Sequence, residues 1–296
     1  MLIDNLKEMK SYINKILFKY VHRQWNIAIA EYDSDLNPVN IKWMKHNYKD
    51  RWFADPFIID ETVNTFIILA EEYMRDDRKA RLAKLIVTKD DCKLIDNETV
   101  LNLDTHLSFP NFIDVDGSIY VYPENGRSGK TNYYELGEPL KYVGELSSLP
   151  LADAAIQVIE NRYYLLFTLG EECNGNRLMI YVSDTPLGSY KPLQEVLFSD
   201  NIARRAGRLF KIGNRLISPA QVCNNRYGEG VCLQEVNLVG DKLTFKEVKR
   251  LYPTSKEYPY GLHTYNVFGS HVVIDGYRFK CPFLSRLYFK LRNGKL

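Results

Sequence analysis

Trp52-Phe53-Ala54-Asp55-Pro56-Phe57-Ile58-Ile59 is a strand-like run. It is followed by a polar break at Asp60 to Asn64 and a second apolar run, Phe66-Ile67-Ile68-Leu69-Ala70-Glu71. The same strand, turn, strand outline returns as Phe109-Pro110-Asn111-Phe112-Ile113, a turn at Asp116-Gly117, and Ile119 to Glu124. It returns as Ala152-Asp153-Ala154-Ala155-Ile156, a turn at Glu160-Asn161, and Tyr163 to Phe167. A fourth copy runs Arg205-Ala206-Gly207-Arg208-Leu209-Phe210, turns at Gly213-Asn214 and continues Leu216 to Gln221. The fifth is Leu262-His263-Thr264-Tyr265-Asn266-Val267-Phe268, a turn at Gly269-Ser270, and Val272 to Gly276.

Aligned on their turns, the copies put Asp55, Pro110, Asp153, Ala206 and Leu262 in register, with successive gaps of 55, 43, 53 and 56 residues. Periods of this size, each holding several short strands, are the mark of radially repeated β-sheets. The expected fold is all-β: a five-bladed β-propeller over residues 25–296, each copy being the inner hairpin of one blade. Residues 1–24 read as a short N-terminal amphipathic helix, with Leu6, Met9, Ile13, Ile16, Leu17, Tyr20 and Val21 at helical spacing. Ile27, Ile29 and Tyr32 are expected in a strand that closes the ring against the C-terminal blade, which removes exposed edges.

The chain of 296 residues is 45% hydrophobic and 26% charged, an ordinary globular composition. No secretory signal is visible, and no run approaches the ~20 apolar residues of a membrane span. The five cysteines are odd in number and lack Cys-x-x-Cys spacing, so neither a zinc cage nor a disulfide framework is expected. These features point to a reducing, cytoplasmic setting. The net charge of +2 is unevenly spread, with basic ends at 1–24 and 277–296 and an acidic body between them. Such a body is a poor nucleic-acid surface, while basic ends suit peripheral contact with an anionic membrane at its inner face. The alternative for the N-terminal helix is packing against the side of the propeller. Ser128-Gly129-Lys130-Thr131 lacks the upstream glycine of a phosphate loop and links no strand to a helix.

Matched positions of different copies converge on the propeller axis, so Asp55 and Asp153 are expected in one pit. Glu71, Glu72 and Glu124 end the neighbouring second strands. Glycosyl transfer needs an ionised carboxylate and a protonated one, and crowding of like charges raises at least one pKa. The plainer reading of Asp55 is a turn cap ahead of Pro56. Arg204, Arg205 and Arg208 crowd the same region in the fourth copy. They read either as a clamp for phosphate or carboxylate or as salt-bridge partners of the acids. Gln221, Tyr227, His106 and His263 complete the expected substrate-binding set. The histidines are too scattered for a metal motif, so no metal and no cofactor are expected.

The Ala54-Asp55-Pro56 and Ala152-Asp153-Ala154 pair resembles the five-bladed propellers of glycoside hydrolase families 43 and 32. Trp52 to Phe57, His106 to Pro110, Arg205 to Arg208, Pro219-Ala220-Gln221 and Gly261 to Thr264 together resemble the propeller region that precedes the transferase domain in plant glucosamine inositolphosphorylceramide transferases. That resemblance spans residues 45–278 and implies a carbohydrate-active enzyme that transfers or processes a glycosyl unit, from a phosphorylated or nucleotide-linked sugar, in surface-polysaccharide or glycolipid synthesis, with a sugar or sugar-phosphate substrate. It implies Asp55 as base or nucleophile and Asp153 as its supporting carboxylate. Glu124 is the available acid, and Arg205 with Arg208 the anion clamp. The hydrolases draw their general acid from a Glu at the start of the fourth blade, where this chain has Arg205-Ala206-Gly207. The alternatives are therefore a glycoside hydrolase of the family 43/32 type and a non-catalytic glycan-binding propeller that assists a transferase.

Overall fold

The computed structural model describes residues 21–285. The expected N-terminal helix falls outside these residues except for 21–24, where a strand already begins at Arg23, and the basic tail beyond 285 also lies outside them. The described chain forms five four-stranded antiparallel sheets. Strands β1 (Arg23–Tyr32) and β2 (Pro38–Trp43) come first. Blade one is β3 (Arg51–Glu61), β4 (Thr65–Met74), β5 (Lys79–Thr88) and β6 (Leu94–Leu101). Blade two is β7 (Phe112–Val115), β8 (Ser118–Val121), β9 (Thr131–Glu135) and β10 (Lys141–Ser147). Blade three is β11 (Leu151–Ile159), β12 (Arg162–Leu169), β13 (Arg177–Ser183) and β14 (Lys191–Leu197). Blade four is β15 (Phe210–Ile212), β16 (Arg215–Val222), β17 (Gly230–Val239) and β18 (Lys242–Leu251). Blade five starts with β19 (Tyr265–Phe268) and β20 (His271–Phe279), and β1 and β2 complete it.

The ring closes by pairing β1 with β20 from Arg23↔Phe279 to Glu31↔His271. Ile27 and Ile29 lie in this strand, so the expected closure is the observed one. Both ends of the propeller are thereby paired within a sheet, and no open seam remains there.

A separate apolar core fills each interface between neighbouring blades, and the period-two alternation of the strands feeds two of them at once. On β4, Phe66, Ile68 and Ala70 pack with Ile27, Ile29 and Val273 of blade five. Leu69, on the opposite face, packs with Phe109, Phe112 and Val121 of blade two. Equivalent clusters join blades two and three, three and four, and four and five. Each fully buried Phe, Leu or Ile contributes about 1.5–3 kcal/mol. That is why strands such as Phe66 to Ala70 read as continuous apolar runs.

Each inner strand touches its neighbour at a matched pair: Ala54↔Glu71, Ser108↔Glu124, Ala152↔Thr168, Arg205↔Ala220 and Gly261↔Tyr277. The next residues are Asp55, Phe109, Asp153, Ala206 and Leu262. The second copy is therefore shifted by one residue from its turn-based alignment, with Phe109 rather than Pro110 at the matched position. Asp55, Phe109 and Asp153 have left-handed backbones, with φ of 49°, 45° and 43°. In β3 and β11 this conformation coincides with a bulge, between Ala54/Phe57 and Ala152/Ala155. A bulge re-aims one side chain out of the strand's alternation, and Asp tolerates the left-handed region better than most residues.

Candidate functional site

The bulges turn Asp55 and Asp153 toward one another's electrostatic reach at the axis, where all five blades contribute. Asp55 is 4% exposed and Asp153 1%. Asp55 accepts the Phe109 N–H on Oδ2 at 3.0 Å, which ties blade one to blade two. Its Oδ1 lies 3.1 Å from Thr264 Oγ1 of blade five. Burial pushes the Asp55 pKa well up. His263 opposes the shift, and Glu71, Asp153 and Asp275 add to it.

Asp275, on β20, is the anchor of this half. Its Oδ1 accepts the backbone N–H groups of His263 and Thr264, each at 3.0 Å. Its Oδ2 accepts the Asp55 N–H at 3.2 Å and faces His263 Nδ1 at 2.6 Å. Burial alone would raise its pKa, but the charge and hydrogen bonds of His263 hold it below the usual carboxylate value. For His263 the balance runs the other way: burial disfavours its charge, yet Asp275 and Asp55 carry its pKa up to about 9.

Thr264 Oγ1 is 3.1 Å from Asp55 Oδ1 and 2.8 Å from Asp275 Oδ2. A hydroxyl has one hydrogen to give, so it satisfies both contacts only if one carboxyl is protonated. Asp55 has the raised pKa and Asp275 the lowered one. These opposite directions favour the proton on Asp55 and the Thr264 hydroxyl as donor to Asp275.

Arg204 organises the other half. Its Nε donates to Asp153 Oδ2 at 2.5 Å and its Nη2 to Glu124 Oε2 at 2.9 Å. Its Nη1 reaches Asn174 Oδ1 at 3.0 Å and Cys173 Sγ at 3.3 Å. Gln221 Nε2 also donates to Asp153 Oδ2, and Glu124 Oε2 accepts the Asp153 N–H. Burial is the chief reason that the Asp153 pKa rises to about 7, with Arg204 opposing and Glu124 assisting. The two halves meet at Tyr227, whose ring lies 5.3 Å from the Arg204 guanidinium and 5.3 Å from the His263 ring.

Glu71 is 5% exposed and faces His106 Nε2 at 3.2 Å. His106 Nδ1 accepts the Ala80 N–H, so Nε2 carries the proton. The Glu124 side chain is 21% exposed and that of His106 37%; these are the polar groups of the ring that reach solvent.

Four expectations need correction. Glu72 is fully buried within blade one, held by Arg51 at 2.7 Å, Arg81 at 2.6 Å and Asn97 at 2.7 Å, because it alternates to the face opposite Glu71. Arg205 likewise alternates away from Arg204. It is fully buried in blade four, donating to Ile202 O, Ala203 O, Ser218 Oγ and Gln234 Oε1. Arg208 is exposed and lies over the Phe112 ring at 4.1 Å, so it forms no fork with Arg205. His263 is 2% exposed and stacked on Trp25 at 3.9 Å, sealed from a ligand. Asp275 and Thr264 are the functional-site residues that the sequence reading missed. An acid that ends the second apolar run in both the first and fifth copies, Glu71 and Asp275, was the available signal.

Asp55, His263 and Asp275 place possible metal ligands within 4.8 Å of one another. The donor set does not fit a cation: the lone pairs of Asp275 already receive N–H and O–H groups, and the nearest His263 atom is itself a donor to it.

The fold and this ring define a five-bladed propeller with a converging set of carboxylates at its axis. The chain belongs to the family described as glucosamine inositolphosphorylceramide transferase 1, N-terminal, which matches residues 39–274. It is 31% identical over 155 residues to glucosamine inositolphosphorylceramide transferase 1 of Arabidopsis thaliana, covering 49% of this chain and 20% of that protein. The Oryza sativa subsp. japonica protein of the same name matches at 31% over 157 residues, with the same coverage. The chain thus spans about a fifth of the length of these relatives. Among solved structures, a thermostable family-43 glycoside hydrolase superposes with a TM-score of 0.56 at 14% identity, covering 77% of this chain and 86% of that one. An exo-β-1,3-galactanase from Phanerochaete chrysosporium, crystallised with β-1,3-galactotriose, gives 0.54 at 8%, covering 71% and 53%. These two likenesses are of fold.

Proposed function

We propose that the protein recognises a glycosyl unit at the solvent-facing edge of its axial ring and serves glycosyl transfer in cell-surface polysaccharide or glycolipid assembly. Membership of a family named for a glycosyltransferase supports this reading, as does the sugar chemistry of the propellers that share its fold. One observation carries it. The two aspartates are already engaged, Asp55 by Phe109 and Thr264 and Asp153 by Arg204 and Gln221. This leaves Glu124 Oε1 and the Tyr227 hydroxyl as the groups available to a sugar, since Glu124 is engaged through Oε2 and His106 is held by Glu71 and the Ala80 N–H. Hydrolysis of the family-43 type is disfavoured by the fourth blade, where Arg204 fills the space between Glu124 and Asp153. A phosphorylated donor would find Arg208 alone rather than a guanidinium fork.

A second reading, catalysis by the chain itself, is favoured by Asp153, whose pKa near 7 suits proton transfer at neutral pH. Calorimetric titration with neutral saccharides, sugar phosphates and nucleotide sugars, with mass spectrometry of the same mixtures, separates the two. Recognition without chemistry predicts saturable binding that Glu124→Gln weakens by about tenfold, the loss of one charged hydrogen bond. It also predicts no new glycoside and no released sugar. Product that vanishes in Asp153→Asn while binding persists establishes the second reading, and failure of every sugar to bind sinks both. The basic termini extend the proposal to the inner surface of a membrane, which sedimentation with anionic vesicles tests. Among the described residues no helix is long and apolar enough to cross a membrane.

A further inference from the structure

A groove of about 1210 Å³ runs along the flank between blades five and one, apart from the axial ring. All three tryptophans of the chain, Trp25, Trp43 and Trp52, line it, together with Tyr48 and Tyr258. Trp43, Trp52 and Tyr48 present part of their rings to solvent, whereas Trp25 and Tyr258 are buried; exposed flat apolar rings in a polar groove are the walls on which the C–H face of a pyranose rests.

Its polar lining has unmet hydrogen-bonding capacity. Asn26 Oδ1, His46 Nδ1 and Asn97 Oδ1 are buried and unpartnered among the described residues, and all three residues line the groove. Asn26 is 2% exposed, and its Nδ2 is committed to Met44 O and Tyr258 Oη, which fixes Oδ1 as the free end. Asn97 is fixed in the same way, because its Nδ2 donates to Glu72, which can only accept. Burial, Arg278 and Arg51 all lower the His46 pKa, so the ring is neutral and one nitrogen is an acceptor. Unpartnered buried acceptors are uncommon and call for a donor.

The charges point away from an anionic ligand. The lining holds five cations and four acids. Arg51 is bound to Glu72, Lys45 to Asp91 and Arg278 to Glu257. What remains wanting is hydroxyl donors attached to apolar faces.

We propose that this flank groove binds an uncharged oligosaccharide, as a site separate from the axial ring and independent of the chemistry assigned there. Trp25 joins the two, since its ring lines the groove and stacks on His263 of the axial network.

Because every tryptophan lies at this site, intrinsic fluorescence of the intact chain reports it. The expected result is a saturable emission change with neutral tri- to hexasaccharides and a weaker one with a sugar 1-phosphate. Tyr48→Ala, at a ring that is 41% exposed, and His46→Phe, which keeps the ring and removes the acceptor, are each expected to weaken binding about tenfold. Glu124→Gln strikes only the axial ring and leaves this titration unchanged, so failure of one site is distinguishable from failure of the other. No response to any neutral oligosaccharide overturns the proposal, as does a response that both groove variants leave intact. A photo-crosslinker at position 48 that captures residues 1–20 would assign the groove to the chain's own N-terminal segment, and that also overturns it.

Discussion

Replacing Asp153 by Asn should change how stability depends on pH, in a direction set by the site. Asp153 is 1% exposed, and its pKa in the fold is about 7 against an ordinary 3.8. Between those values the folded state holds a proton that the unfolded chain has released. Stability from this group is therefore full at the acid end and is lost as pH rises through about 7. A shift of about 3 units at 1.36 kcal/mol each is on the order of 4 kcal/mol. Asn keeps the shape and removes the titration, and Arg204 retains Glu124 as a partner. Urea denaturation of both proteins from about pH 4 to pH 8 reads the effect. The wild type should lose on the order of 4 kcal/mol more than the variant across that range. His263, raised to about 9 with Asp153 among the causes, contributes a further decline as pH rises above its ordinary 6.5, and this decline is smaller in the variant, which widens the difference in the same direction. Parallel stability curves, or a wild type that gains on the variant as pH rises, would refute the argument.

Three more outcomes are expected. Glu72→Gln strips the fully buried carboxylate from Arg51 and Arg81 and should cost about 3 kcal/mol in denaturant while leaving sugar binding at the axial ring of the folded protein unaltered. Thr264→Val removes the hydroxyl between Asp55 and Asp275 and should destabilise by about 1–3 kcal/mol, with Thr264→Ser restoring most of it. In Gly207→Ala the new Cβ would meet Asn266 Oδ1 and Tyr265 O at 2.5 Å, so the thermal midpoint should fall by an amount corresponding to about 1–3 kcal/mol.

The repeats were legible because the second strands β4, β12, β16 and β20 are largely buried on both faces and write nearly continuous apolar runs into the chain, while in β8 Val121 alone is buried. The pairing of Asp55 with Asp153 followed from their equal distance to a turn, and the bulges at both positions preserve that register. In the second copy the turn misleads by one residue, since the matched pair is Ser108↔Glu124 and Phe109 follows it. The arginines were harder to read. Arg204 and Arg205 are neighbours ahead of β15, where Arg205 makes an isolated bridge to Ala220, and they face opposite ways; sequence cannot say which of them turns to the axis. Asp275 escaped notice because it lies in an ordinary apolar strand, Val272 to Gly276. Its importance comes from His263 and Thr264 presenting two adjacent amides to it, a feature of backbone shape rather than of residue type.

The pairing of β1 with β20 has a consequence for biosynthesis. A ribosome delivers Arg23 long before Phe279, so β1, the first described strand, must wait with only β2 beside it until almost the whole ring has emerged. Long sequence separation of this kind slows folding and leaves an adhesive edge in the meantime. The last blade acts as a latch, and a polypeptide released early would be left with one edge of β1 open and only β2 beside it.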